Sequence, residues 1–140
     1  VSIKLSADKD AVNGKKIVLI DDSIVRGTTS GRIVSLLREA GAKEIHMRVS
    51  APPFLYPCYY GTDIDSQKNL IAVHHTVDEI AKMIGADSLG FFPVQRLDTL
   101  CGGDHYCRSC FDGVYPTEIP RENDKNRFEQ RLSEKQKKDN

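Results

Sequence analysis

Residues 17–30 read IVLIDDSIVRGTTS. Ile17 to Ile20 form a short continuous apolar run bounded by turn signals, the pattern of a central strand covered on both faces. The run ends in two adjacent acids, Asp21 and Asp22. Neighbouring carboxylates repel each other, so such a strand end calls for a cation or for hydrogen-bond donors to take up the charge. Gly27 lets the backbone turn tightly and approach a ligand. Thr28, Thr29 and Ser30 then supply hydroxyls and backbone N–H groups at a helix start, where the helix dipole favours anions. In an open α/β sheet, ligands bind beyond the carboxyl ends of strands. One loop would therefore grip a sugar by its hydroxyls and by its phosphate, and a phosphorylated ribose meets both demands. The plain alternative is structural, with Asp22 or Ser23 capping a turn and Thr28 capping the helix. Neither the G-x-x-x-x-G-K-[ST] nor the G-x-G-x-x-G signature is present.

The flanking sequence builds an α/β fold around this loop. Residues 28–40 carry Ile33, Leu36, Leu37 and Ala40 on one helical face, and Gly41 stands where a C-terminal cap is expected. Residues 44–51 (EIHMRVSA) alternate Ile45, Met47 and Val49 against His46, Arg48 and Ser50, which predicts a second strand. Strand, helix and strand make a βαβ unit with a parallel pair of strands. Residues 1–6 alternate like a half-buried strand, and residues 7–16 read as a polar connector with an Asn13-Gly14 turn. Thr76 to Glu79 has the form of a capping box opening a helix that stops at Gly85. Residues 88–94 suggest a further strand, and residues 94–100 a short helix. His74-His75 invites a metal reading, but adjacent residues diverge on a strand and do not share a helix face, so strand-end or surface histidines are expected. The polar stretch 121–140 reads as a charged tail, helical or disordered.

Composition narrows the function classes. The chain has 140 residues with 20 Lys+Arg and 20 Asp+Glu, so no net basic field favours nucleic acid or anionic lipid. No apolar run approaches the ~20 residues of a membrane span, and no signal peptide is visible. The start at Val1 rather than Met reads as an excerpt of a longer chain. Cysteines stand at 58, 101, 107 and 110, the last two as C-x-x-C. Spacing alone leaves a zinc site, an iron–sulfur cluster, disulfides or unligated thiols open, with His105 as one more candidate zinc ligand. Nothing else suggests secretion, and a reduced, cytoplasmic setting is expected.

The run of apolar strand, two acids, short loop, Gly and hydroxyl residues resembles the phosphoribosyl pyrophosphate (PRPP) motif of type I phosphoribosyltransferases. DDSIVRGTTS, followed by RxIVxxLREAGAKEIHxRxSxPP, is similar more narrowly to the glutamine-dependent amidotransferases of that superfamily, from Val1 to about Pro120. The resemblance implies the C-terminal portion of a Rossmann-like parallel sheet flanked by helices over residues 1–120, followed by the tail. It implies that Asp21 and Asp22 meet the ribose hydroxyls and Mg²⁺, and that Ser23, Arg26, Gly27, Thr28, Thr29 and Ser30 hold the 5′-phosphate. The implied reaction replaces pyrophosphate on PRPP with ammonia from glutamine, giving 5-phosphoribosylamine for purine synthesis. Purine nucleotides are the implied feedback inhibitors, and a homo-oligomer, a tetramer by resemblance, the implied assembly.

One branch of these enzymes holds a [4Fe–4S] cluster with one cysteine in P-C-[FY]-Y-G and two in C-x-x-C-F-x-G-x-Y-P-T-E-I. Here PCYYG within residues 56–61 contains Cys58, and CRSCFDGVYPTEI within residues 101–119 contains Cys107 and Cys110. The fourth ligand is expected upstream, and Cys101 matches no ligand position. The glutamine-hydrolysing cysteine and the loop that closes over pyrophosphate have no counterpart here, so residues 1–140 alone are expected not to turn over. No catalytic residue stands out in the segment. A salvage phosphoribosyltransferase and a non-catalytic nucleotide-binding regulator of the same fold are the alternatives.

Overall fold

The structure, a computed structural model, describes residues 7–64 and 66–119. The order is α1 (Lys9–Val12), β1 (Lys16–Asp21), α2 (Thr28–Glu39), β2 (Glu44–Val49), α3 (Ile71–His74), α4 (Val77–Ile84), β3 (Ser88–Phe91), α5 (Leu97–Cys101) and α6 (Ser109–Asp112). Short 3₁₀ turns at Gln67–Asn69 and Val94–Arg96 precede α3 and α5. The three strands form a parallel sheet in the order β1-β2-β3. Ile17 pairs with Ile45 and Asp21 with Val49, so the acidic pair leaves the sheet where β2 also ends.

The core lies on one face of this sheet. Ile45, Met47 and Val49 are buried from β2, beneath Val34 of α2 and Ile80 and Ile84 of α4. A half-period of strand and a stripe of helix thus meet as their sequence patterns require. The opposite face of β1 differs from the expectation of a strand covered on both sides. Val18 and Ile20 are 63% and 74% exposed, and β1 lies at the sheet edge among the described residues. The apolar run specifies a strand buried on both faces, but the described elements cover only one.

The predicted helix and strand centres hold. Helix α2 ends at Glu39 with Ala40 as C-cap, and Gly41 follows at φ 97°, a left-handed turn that glycine makes without strain. The capping box of α4 is complete, with Thr76 Oγ1 accepting from the Glu79 N–H and the Glu79 carboxylate accepting from the Thr76 N–H. Ser88–Phe91 is shorter than the strand expected over 88–94, because Pro93 and the 3₁₀ turn after it end the ladder. The one-turn helix α1 lies in the stretch expected to be a polar connector, and α3 and α6 carry no helical signal in sequence, since four residues are too few for a periodic pattern. The expected strand over residues 1–6 and the tail 121–140 lie outside the described residues.

A long-range clamp joins the two helices to β2. Arg38 of α2 donates to the carbonyls of Lys43 and Gly85 and pairs with Asp87, whose carboxylate also accepts from the Ile45 N–H at 2.6 Å. That N–H, followed by the Arg38 guanidinium, holds the Asp87 carboxyl below the usual carboxylate range. The end of α4 is secured separately by its caps. Thr76→Ala is expected to cost about 1 kcal/mol by urea denaturation, the usual loss for an N-cap hydroxyl. An unchanged midpoint would show that the capping box contributes nothing to stability.

Candidate functional site

The Asp21–Ser30 loop surrounds a cavity of about 440 Å³, lined by residues 21–30 and Asp63. Backbone bonds set its shape. The Ser50 and Ala51 N–H groups donate to the carbonyls of Asp21 and Asp22, both at 3.0 Å, carrying the parallel pairing past the strand end. The Ile71 N–H donates to the Val25 carbonyl at 2.9 Å, tying the loop to α3. Ile24 is buried in the core, and its neighbour Val25 packs, partly buried, against the cluster of Phe54, Ile64 and Leu70. Gly27 is the N-cap of α2 at φ 78°, and a Cβ there would stand 2.9 Å from the Ile71 Cδ1. Both the turn and the close packing require glycine.

The two ends of the cavity differ in chemistry. At one end, Asp21 accepts from the Asp22 N–H at 3.0 Å and Asp22 accepts from the Ser23 hydroxyl at 3.1 Å. These contacts leave further carboxylate lone pairs for a ligand or a cation. At the other end no side chain caps the N-terminus of the 12-residue helix α2. Its first N–H groups therefore face the cavity without a side-chain acceptor, the arrangement that suits a phosphate. Thr28 and Thr29 are exposed, while Ser30 is 3% exposed. All of the loop residues expected from sequence line this one cavity. Asp63 was missed, because it comes from a segment 42 positions beyond Asp21 whose path sequence patterns do not reveal.

The cysteines gather elsewhere. Cys58 and Cys110 are partly buried against the cluster of Phe54, Ile64 and Leu70. The segments that carry them are joined by the Leu55 and Tyr56 N–H groups donating to the Cys110 carbonyl at 2.9 and 3.1 Å. Phe54 stacks on Phe111 with ring centroids 5.0 Å apart, and the Tyr115 hydroxyl donates to the Pro57 carbonyl at 2.7 Å. Cys107 lies beside the buried Ser109, Sγ to Oγ 3.3 Å. Cys101 is exposed at the end of α5. No disulfide joins any of the four. Among the described residues no three His, Cys, Asp or Glu side chains converge tightly enough to hold a metal ion.

The thiols differ electrostatically. Burial pushes Cys58 up, but the N–H groups of Gly61, Tyr60 and Thr62 outweigh it and bring the thiol down to about 7. Burial pushes Cys110 up to about 11, with the neighbouring Cys58 and Cys107 adding to the shift. Cys110 would therefore become a thiolate at neutral pH only if positive charge were brought to this corner.

The four histidines lie on three separate segments. His46 bridges Ser88 and Glu44, at 2.9 and 3.1 Å, on the open sheet face. His74 ends α3, exposed as expected of a surface histidine, and His75 is the C-cap, so the pair marks a helix end rather than a strand end. His105 is exposed beside Asp104.

Comparison with known proteins gives this geometry a context. No family model matches the chain. A chloroplastic amidophosphoribosyltransferase of Glycine max is 53% identical over 120 residues, covering 84% of this chain and 21% of that protein. The Bacillus subtilis amidophosphoribosyltransferase is 51% identical over 128 residues, covering 85% of this chain and 26% of that protein. The chain belongs to the amidophosphoribosyltransferase family. It spans about a quarter of the length of such relatives. Among solved structures, the B. subtilis glutamine PRPP amidotransferase complexed with ADP and GMP superposes with a TM-score of 0.75 at 50% identity. That match covers 83% of this chain and 27% of that one. The parallel sheet with flanking helices is thus the C-terminal portion of the phosphoribosyltransferase fold of this family.

The split in thiol acidity is open to direct measurement. In metal-free protein, alkylation followed by mass spectrometry should rise through a midpoint near about 7 at Cys58 and near about 11 at Cys110. A common midpoint for the two would contradict the inferred role of the Gly61, Tyr60 and Thr62 donors.

Proposed function

We propose that this chain is the ribose-phosphate-holding part of an enzyme that makes 5-phosphoribosylamine from PRPP and glutamine, the first step of purine synthesis. Residues 1–120 would belong to its phosphoribosyltransferase domain, with 121–140 as a tail. One observation carries the reading: a single cavity has two carboxylates at one end and the uncapped N-terminus of α2 at the other. In this reading Asp21 and Asp22 accept hydrogen bonds from the ribose 2- and 3-hydroxyls. Arg26, Gly27, Thr28, Thr29 and Ser30, with Ser23 at the loop entrance, surround the 5′-phosphate.

The chemistry suits such a site. Ammonia forms a bond to ribose C1 as the C1–O bond to pyrophosphate breaks. Pyrophosphate leaves with the electron pair, and the new nitrogen then loses a proton. Positive charge develops on the ribose as the leaving group departs, so fixed position and negative potential near the ring accelerate the step. The loop supplies both, since its ends are anchored to β2 and α3 by backbone bonds. Hard carboxylate oxygens beside hydroxyls and open space match the ligand preference of Mg²⁺, so Asp21 and Asp22 would hold that ion. Bound there, it would neutralise charge on the hydroxyl and pyrophosphate oxygens. Purine nucleotides would occupy the same cavity through their own 5′-phosphates, a reading supported by the ADP and GMP in the B. subtilis relative.

Cys58, Cys107 and Cys110 would hold a [4Fe–4S] cluster with a further cysteine outside this segment. Their donor chemistry is compatible, because three thiols occupy one corner and the Cys58 sulfur already accepts backbone N–H groups. Their present spacing is not that of a closed metal site. The cluster would pin residues 107–119 to the 54–62 segment, a structural role. Four cysteines with no disulfide among them also suit a reducing, cytoplasmic setting, and the whole enzyme would work as a homo-oligomer. No helix among the described residues is long and apolar enough to cross a membrane.

The loop assignment predicts a selective loss. In the full-length enzyme, Asp21→Asn with Asp22→Asn should abolish PRPP consumption with ammonia while glutamine hydrolysis stays measurable; unchanged PRPP kinetics would refute it. The cluster assignment has a separate readout. Anaerobically purified enzyme should show the broad visible absorbance of an iron–sulfur cluster and lose it in Cys107→Ser. A colourless, zinc-loaded, active enzyme would overturn that assignment.

A further inference from the structure

Arg108 and Ser109 stand between Cys107 and Cys110, and they differ in what they touch. Arg108 carries the charge that would most simply compensate a neighbouring thiolate, but it is committed to acids. Its Nε meets Asp112 at 2.7 Å and its Nη1 meets Asp98 at 2.6 Å. Ser109 is neutral and 2% exposed, and its backbone is fixed at the start of α6, where its carbonyl accepts from the Gly113 N–H at 2.8 Å. Its hydroxyl donates to the Val114 carbonyl at 2.6 Å, while the same oxygen lies 3.3 Å from the Cys107 sulfur. The Cys58 sulfur is served differently, by backbone, with the Thr62 N–H donating at 3.4 Å. At Cys107 the group in contact is a side-chain hydroxyl, which a substitution can remove.

Counting protons shows what that contact demands. A serine hydroxyl has one proton and two lone pairs. With the proton on Val114, the contact at Cys107 is a bond only while the thiol S–H donates to the Ser109 oxygen. A cysteine sulfur that bonds to iron has released its proton to solvent and can only accept. The thiolate would then face oxygen lone pairs, unless the Ser109 hydroxyl turns from Val114 to the sulfur. That turn needs only a rotation about the Cβ–Oγ bond. Val114 is 71% exposed, so water is at hand for the carbonyl left behind.

We propose that Ser109 is a positioning residue for Cys107, its hydroxyl turning from the Val114 carbonyl to donate to the ligated sulfur. This role rests on Cys58, Cys107 and Cys110 holding the [4Fe–4S] cluster. A hydrogen bond from a buried hydroxyl to a thiolate is charge-assisted, so it withdraws charge from the sulfur and fixes its direction. Outer-shell bonds of this kind typically carry about 10–100-fold in metal affinity.

The test uses the full-length enzyme, purified anaerobically as wild type, Ser109→Ala and Ser109→Thr. Resonance Raman spectra in H₂O and D₂O read the bonds to the cluster sulfurs, and a chelator challenge followed by visible absorbance reads iron loss. The wild type should show Fe–S(Cys) stretching bands displaced by D₂O. Ser109→Ala should show altered bands with a smaller displacement, and should lose iron about tenfold faster or more. Ser109→Thr, which keeps the hydroxyl, should restore both. If the alanine variant does not fold, Ser109→Thr against Ser109→Val, a pair of equal shape, reads the hydroxyl alone. A folded, cluster-loaded variant without the hydroxyl whose bands and displacement match the wild type overturns the proposal, even if it loses iron faster, because that loss would be structural only. A wild type without displacement in D₂O overturns it without any variant. A wild type that carries no cluster refutes the cluster assignment itself, before any variant is compared.

Discussion

The contact between Gly27 and Ile71 is the constraint on which the candidate site depends. Gly27 must turn at positive φ for α2 to begin where it does, and the absent side chain leaves the room that Ile71 fills. Ile71 in turn fastens its N–H to Val25 and packs into the core with Ile80 and Ile84. The loop is therefore not a free surface turn. Its far end is held by α3, and its near end by the extension of the β1-β2 pairing through Ser50 and Ala51. A loop fixed at both ends presents its carboxylates and N–H groups without reorganising, which is what electrostatic catalysis and anion binding both need.

The cysteine corner follows a different logic. It is assembled from segments separated by some fifty positions and joined by aromatic stacking, Tyr115 and backbone bonds to Cys110. Within it one thiol is stabilised as thiolate by N–H donors, while another is held protonated by burial and by its neighbours. The two thiols of this corner therefore differ in acidity for opposite local reasons, donated N–H groups in one and desolvation in the other. The proposed cluster would reverse the shift at Cys110. Gly113, at φ 77° with a virtual Cβ 2.8 Å from the Tyr56 ring, shows how closely this corner is packed around its turn.

Much of the fold was legible because its periodic elements are long enough to carry a pattern. The 12-residue α2, the alternation in β2 and the capping box at Thr76 each state their own geometry. The loop residues were legible for a related reason: they are contiguous, so their chemistry and their spacing are read together. Asp63 was not, because it enters the cavity from a segment that follows two prolines and lacks any repeating pattern.

The sequence by itself determined the strand–loop–helix unit, the acids and hydroxyls of the loop, and the family to which the motif belongs. These depend on neighbours within one or two turns of chain, where backbone geometry and side-chain type decide the outcome. Only the tertiary structure decided which face of β1 is covered, that Ile71 closes under Gly27, and that Cys58 and Cys110 share a corner with unequal acidity. Those outcomes depend on long-range packing and on the desolvation it imposes, and neither leaves a local signature in the order of residues.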